Sequence, residues 1–165
     1  MAPIRFELTI ARSLDDVFAV LTDPTLTPRW SANAVSERWL TPPPHGVGSR
    51  REAVTKGLGR RMTNVAEVVA FEPGRSWTLR SVSGPGFEAS ASFAPEGDGT
   101  RVVWTWWLGR SRWQRLAMTP VVPVFRRSLG ADLARLKAML ESGELQPGTG
   151  SAVPNAATSS GSEPD

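Results

Sequence analysis

Cysteine and tyrosine do not occur in the 165 residues, histidine appears once, at position 45, and lysine only at positions 56 and 137. Each absence closes off a chemistry. Without thiols there are no disulfides, thiolate metal sites or cysteine nucleophiles, and the composition suits a cytoplasmic setting. With His45 alone, the commonest general acid and base is confined to one position. No apolar run approaches the roughly 18 residues of a membrane-crossing helix, and Arg5 and Glu7 interrupt what would have to be a signal peptide's apolar core. The expectation is a cytoplasmic protein with no integral membrane insertion. No phosphate-binding glycine loop, nucleophile elbow or metal-ligand cluster is present, so no metal and no cofactor is expected.

Arginine supplies almost all the positive charge. The formal net charge is +3, but thirteen of the sixteen acids and all nineteen basic residues precede Glu144, so residues 1–143 carry +6. The arginines are spread along the chain, with doublets at Arg50-Arg51, Arg60-Arg61 and Arg126-Arg127. Such doublets read as solvated faces, and no nucleic-acid partner is expected. A chain of this length buries enough surface for one core.

The pattern of elements is distinctive. Residues 4–10 alternate as a half-buried strand. Ser13 then has the character of a helix N-cap, with Asp15 and Asp16 in the first turn and Leu14, Val17, Phe18 and Leu21 at helical spacing. Asp23-Pro24 ends that helix and opens a second, short one that stops near Trp30. From Ala34 to Leu108 strand patterns alternate with turn signals at residues 42–46, 56–59, 72–74, 83–86 and 96–99, the spacing of antiparallel hairpins. Phe87, Ala89, Ala91 and Phe93 form an apolar face against Glu88, Ser90 and Ser92. The last strand is apolar on both faces and is expected to be central or doubly covered. A leucine stripe then follows: Phe125, Leu129, Leu133, Leu136 and Leu140, opposite Arg127, Asp132 and Arg135. Pro120 and Pro123 predict a break upstream of it, Gly143 a helix end, and residues 144–165 a disordered tail. The domain is therefore expected over 1–143.

These pieces resemble a known family, the polyketide cyclase/dehydrase-like branch of the START-related, Bet v 1-like superfamily. The matching segments are "ARSLDDVFAVLTD", "DPTLTPRW", "GVGSR", "VVAFEPGRSWTLRS", "GDGTRVVWTWWL" and "LARLKAMLE", in that order over residues 4–142. The resemblance implies an α+β helix-grip fold: a curved seven-stranded antiparallel sheet wrapped around a long C-terminal helix, with two short helices after the first strand. It also implies an internal cavity for a hydrophobic small molecule, with the turns at Lys56–Gly59 and Ser83–Gly86 at its mouth. It carries no catalytic set onto this chain.

Seven tryptophans bring flat apolar walls, each with one hydrogen-bond donor. The candidate ligand-binding residues are Trp77, Arg80, Phe87, Phe93, Trp104, Trp106, Phe125 and Leu129. Trp30 and Trp39, at element ends, read as core packing. An inward Arg80 would orient a carboxylate or enolate, although Trp77 and Leu79 compete for the inner face. Glu88, Ser90 and Ser92 read as solvent-facing polar residues, Thr105 reaches the cavity only if strand parity favours it, and of Arg51 and Glu52 at most one enters the interior. His45 and Arg80 are the weak catalytic candidates. Three functions stay open: binding of a lipid-, polyketide- or aromatic-like molecule; a polyketide cyclase, aromatase or dehydratase using the same cavity; and a basic surface, through Arg110, Arg112 and Arg115, for anionic lipid or a protein. The oligomeric state is left open.

Overall fold

Seven strands, β1 (Ile4–Ile10), β2 (Ala34–Trp39), β3 (Arg50–Gly57), β4 (Arg60–Glu72), β5 (Ser76–Ser83), β6 (Phe87–Glu96) and β7 (Gly99–Leu108), form one antiparallel sheet in the order β1-β7-β6-β5-β4-β3-β2. The computed structural model describes residues 2–57, 59–109 and 111–148. Met1, Leu58 of the expected mouth turn, Arg110 of the expected basic surface and the expected disordered tail from residue 149 lie outside the described residues. From β2 to β7 each strand pairs with its neighbour in sequence, as the turn signals predict. The long connection from β1 carries the chain across to the far edge, so β1 closes on β7.

Strand alternation gives the sheet two unlike faces. The concave face buries Val68, Trp77, Leu79, Ala89, Ala91, Phe93, Val102 and Trp104. The convex face carries cross-strand ion pairs: Arg38 with Glu52, Arg50 with Glu67, Arg80 with Glu88 and Arg101 with Glu7. These exposed pairs each contribute ~1 kcal/mol or less, so they account for the scattered arginines without holding the fold together. β7 is an interior strand, flanked by β1 and β6, but its Val103 and Trp107 are only half-buried on the convex side.

Helix α1 (Leu14–Thr22) starts where Ser13 Oγ accepts the Asp16 N–H at 3.2 Å, and it buries Val17, Phe18, Val20 and Leu21. Asp23 then caps a single 3-10 turn, Pro24–Leu26, which runs into the four-residue α2 (Thr27–Trp30). The C-terminal helical run is broken at the prolines. α3 (Arg112–Met118) opens with a capping box of Ser111 and Gln114, a 3-10 turn spans Thr119–Val121, and α4 (Val122–Glu141) follows with Pro123 in its first turn, where no intrahelical donor is lost. The sheet therefore curls around α4, whose Leu129, Leu133, Leu136 and Leu140 all face it as buried core. Gly130 lets the helix cross β1 closely, since a Cβ there would lie 3.3 Å from the Phe6 ring.

Two expectations need correction. Asp132 does not belong to the solvent face of α4: it is 5% exposed and accepts from the Ala32 N–H at 3.0 Å and the Ser31 hydroxyl at 2.8 Å, tying α4 to the end of α2. Helical spacing alone cannot show this, because the partners lie in a distant part of the chain. The boundary at residue 143 also falls too early. Gly143, at φ +77°, ends the helix, but Leu145 turns back into the core with no exposure, its N–H donating to the Met139 carbonyl at 3.0 Å.

In urea denaturation, Leu145→Ala is expected to cost about 2–4 kcal/mol as a cavity-forming change. Asp132→Ala is expected to cost about 2–3 kcal/mol by leaving a buried N–H unpaired, whereas exposed Arg135→Ala should stay within about 0.5 kcal/mol. A Leu145→Ala protein as stable as the parent would return the domain boundary to residue 143.

Candidate functional site

The register of β5, β6 and β7 aligns large and small residues across the concave face. Trp104 pairs with Ala91, which pairs with Trp77; Trp106 pairs with Ala89, which pairs with Leu79. The buried alanines on β6 leave room for indoles on the strands to either side. Trp77 and Trp104 meet edge-on at 5.8 Å between ring centroids, Trp104 and Trp106 lie 6.3 Å apart, and Trp30 from α2 approaches Trp104 at 5.9 Å. Phe87 and Phe125 pack on Trp106 at 5.1 and 5.4 Å, so β6 and α4 complete the cluster.

Aromatic packing of this kind leaves polar edges to satisfy, and here they are not satisfied. The indole N–H groups of Trp30, Trp77, Trp104 and Trp106 are all buried, and among the described residues none has an acceptor. A buried donor without a partner costs about 1–3 kcal/mol.

A buried ion pair stands beside this cluster. Arg51 on β3 pairs with Ala66 on β4 and Trp39 on β2, which places it on the concave face, and its Nε lies 2.9 Å from Glu37 Oε1. The side chains are 13% and 7% exposed. The Arg51 guanidinium lies over the Trp77 ring, 5.3 Å from its centroid. Burial lowers the Arg51 pKa from its ordinary value, and the adjacent Glu37 charge opposes that shift. The reading of the arginine doublets as solvated faces fails here for a geometric reason. Adjacent strand residues point to opposite faces, so Arg50 meets Glu67 outside while Arg51 goes in.

The sequence-derived candidates divide accordingly. Trp77, Trp104, Trp106, Phe87 and Phe125 come together, and Leu129 joins the same buried core. Phe93 is buried away from the indole cluster, edge-on to Phe18 of α1 at 5.1 Å. Arg80 does not reach the interior: it is register-paired with Glu88 and bonded to it at 2.8 Å on the convex face, because Trp77 and Leu79 take the inner positions. There it helps line a surface cleft of about 360 Å³ with Phe87, Glu88, Trp107, Gly109 and Arg115. His45 is stacked on Trp39 at 4.0 Å, with Nε2 3.1 Å from the Thr41 carbonyl oxygen, contacts that order its own loop. The Ser83–Gly86 turn is tied down from both sides, the Asn64 amide donating to the Pro85 carbonyl and the Gly109 N–H to that of Gly86. Trp30 is interior, as its reading as core packing expects, and Arg51 rather than Glu52 is the one of that pair to enter; Glu37 is the interior residue that sequence reasoning did not consider.

Residues 1–141 match the family model described as polyketide cyclase / dehydrase and lipid transport. The chain belongs to this family. Among solved structures it is similar to TTHA0849 from Thermus thermophilus, at 19% identity and a TM-score of 0.70, covering 87% of this chain and 100% of that one. NE0264 from Nitrosomonas europaea has 16% identity, a TM-score of 0.68 and coverage of 86% and 96%. Ginseng major latex-like protein 151 from Panax ginseng has 19% identity, a TM-score of 0.64 and coverage of 83% and 95%. No curated protein matches the chain in sequence. At these identities the structures establish a shared helix-grip fold. Together with the family, they support an architecture that binds hydrophobic ligands.

Arg51→Met is expected to destabilise the fold by about 2–4 kcal/mol, since it strands the Glu37 carboxylate in the interior, and a Glu37→Leu/Arg51→Met double variant should regain most of that loss. Additive losses in this double-mutant cycle, measured by chemical denaturation, would show that the two side chains do not act as a buried pair.

Proposed function

We propose that the protein binds a flat, hydrophobic small molecule carrying carbonyl or similar acceptor atoms, held between the concave sheet and α4. The observation that carries this reading is the set of four buried indole donors without acceptors among the described residues. Aromatic walls supply contact area, and the donors supply orientation, the usual division of labour in a small-molecule site. Arg51 and Glu37 add one donor group and one acceptor group whose charges cancel, so the polar end of the site favours neutral ligands over anionic ones. An aliphatic acyl chain would cover the indole faces but leave their N–H groups unpaired.

Cyclisation or dehydration of a polyketide-like substrate is the second reading. Its support is Arg51, whose guanidinium lies over Trp77 and would polarise a carbonyl brought against it and stabilise the enolate formed from it. His45 and Arg80, the residues first considered for such chemistry, are engaged elsewhere.

Native mass spectrometry of the purified protein is expected to show a stoichiometric aromatic adduct. Calorimetric titration should then rank 1,4-naphthoquinone above naphthalene by about tenfold, as two acceptors find donors, with palmitate weakest. Trp106→Phe should lower naphthoquinone affinity by about fivefold and leave naphthalene unchanged. Equal affinity for all three probes would remove the acceptor requirement, and failure to bind any of them would remove the reading altogether.

A further inference from the structure

The geometry points to α3 and the turn behind it as a docking surface for an anionic lipid bilayer, a role separate from the interior site and carried by different residues. Of the eight exposed large apolar side chains among the described residues, four fall within twelve residues: Trp113 at 79% exposure, Leu116 at 65%, Val121 at 38% and Val124 at 71%. Trp113 and Leu116 are three apart on one helix and share a face, as do Val121 and Val124 across the start of the next. α3 buries no residue at all. Its exposed indole and leucine therefore contribute nothing to the core and leave apolar surface in water that burial would favour.

Charge decides between the possible occupants. Not one acid occurs between Asp98 and Asp132, whereas arginine occurs six times. Arg112, Arg126 and Arg127 are exposed and make no ion pair among the described residues, unlike the paired arginines of the convex sheet face. A second copy of the chain would set these arginines against themselves. A phosphate-rich surface with an apolar layer beneath it satisfies both chemistries at once, with guanidinium groups on the phosphates and Trp113 and Leu116 at the acyl boundary.

The local backbone is built to present this segment. Gly109, at φ +85°, turns the chain sharply out of β7, and a Cβ there would lie 2.7 Å from the Arg115 nitrogen. Arg115 donates from Nε to the Gly109 carbonyl at 3.2 Å and so fixes the base of α3. The far end of the segment leads directly to Phe125, which packs on Trp106. Docking would therefore bring the bilayer to the end of α4 that borders the aromatic cluster.

The test is flotation of the full chain with vesicles of phosphatidylcholine alone and of phosphatidylcholine with about 30% phosphatidylglycerol, at low salt and with about 0.5 M added salt. The protein is expected to float only with the anionic vesicles and to be released by salt. Arg112→Glu/Arg126→Glu/Arg127→Glu should weaken partitioning on the order of a hundredfold. Trp113→Ser/Leu116→Ser should weaken it by at least roughly tenfold, with unchanged circular dichroism in both variants. Equal recovery on both vesicle types, recovery on neither, or retention by both variants would overturn the proposal. A concentration-dependent dimer abolished by Trp113→Ser/Leu116→Ser would overturn it too, assigning the surface to a second copy.

Discussion

A sheet curled around one long helix leaves much of its concave face to the depth and angle at which α4 sits, with Phe18 of α1 and Trp30 of α2 covering the rest. The leucine stripe from Leu129 to Leu140 supplies the apolar part of that constraint. Polar ties fix the angle, and they are unevenly spread. Asp132 holds the end of α2, Lys137 donates to the Thr9 carbonyl, Arg12 donates to the Leu140 carbonyl, and Arg29 to that of Glu144. Nearer its start, α4 has only the Asn33–Ser128 side-chain bond, and residues 122–127 make no side-chain hydrogen bond among the described residues. The helix is clamped toward its C-terminus and rests mainly on Phe125 at the other end, a distribution that assigns the lowest local stability to the end beside Trp106.

The interior is unusual in the sign of its unmet demand. Hydroxyl and carboxylate groups that enter the core are accounted for: Asp132 by α2, Ser81 by the Phe87 N–H and Thr100 by the Arg12 carbonyl. What remains is donors. A site with surplus donors and a cancelled charge pair discriminates through hydrogen-bond acceptors rather than through net charge, and it penalises ligands that leave the donors empty more than it rewards added apolar area. In the proposed site, specificity of that kind would rest on helix and strand positions, which are held more rigidly than loops.

Most of the fold was legible because its signals are local. Turn residues delimited every hairpin, Ser13 and Asp23 marked two helix starts, and Pro120 placed the break before α4. The aromatic members of the site were legible too, since alternation along β6 and β7 fixes parity once one residue is known to be buried. Glu37 and Arg51 were not. Their side of the sheet depends on how β2 and β3 register across the segment from Leu40 to Ser49, and nothing in those prolines and glycines sets that register from sequence. Arg80 was misplaced for the complementary reason, as its chemistry suggested a pocket while its parity with Leu79 excluded one. Asp132 and Leu145 depend on contacts that exist only after the chain has closed on itself.

The absence of tyrosine, together with the positions of the tryptophans, sets two optical extremes, with the half-buried Trp39, Trp106 and Trp107 between them. Trp30, Trp77 and Trp104 are almost completely shielded, whereas Trp113 stands in solvent on α3. Ultraviolet emission therefore comes from indole, with a short-wavelength component from the interior and a long-wavelength one from the exposed helix. An acceptor arriving inside would perturb the first, and a lipid surface meeting α3 would shift the second to the blue. The protein thus carries a native spectroscopic label at each of the two proposed sites, and the two proposed events would be followed separately in a single unmodified sample.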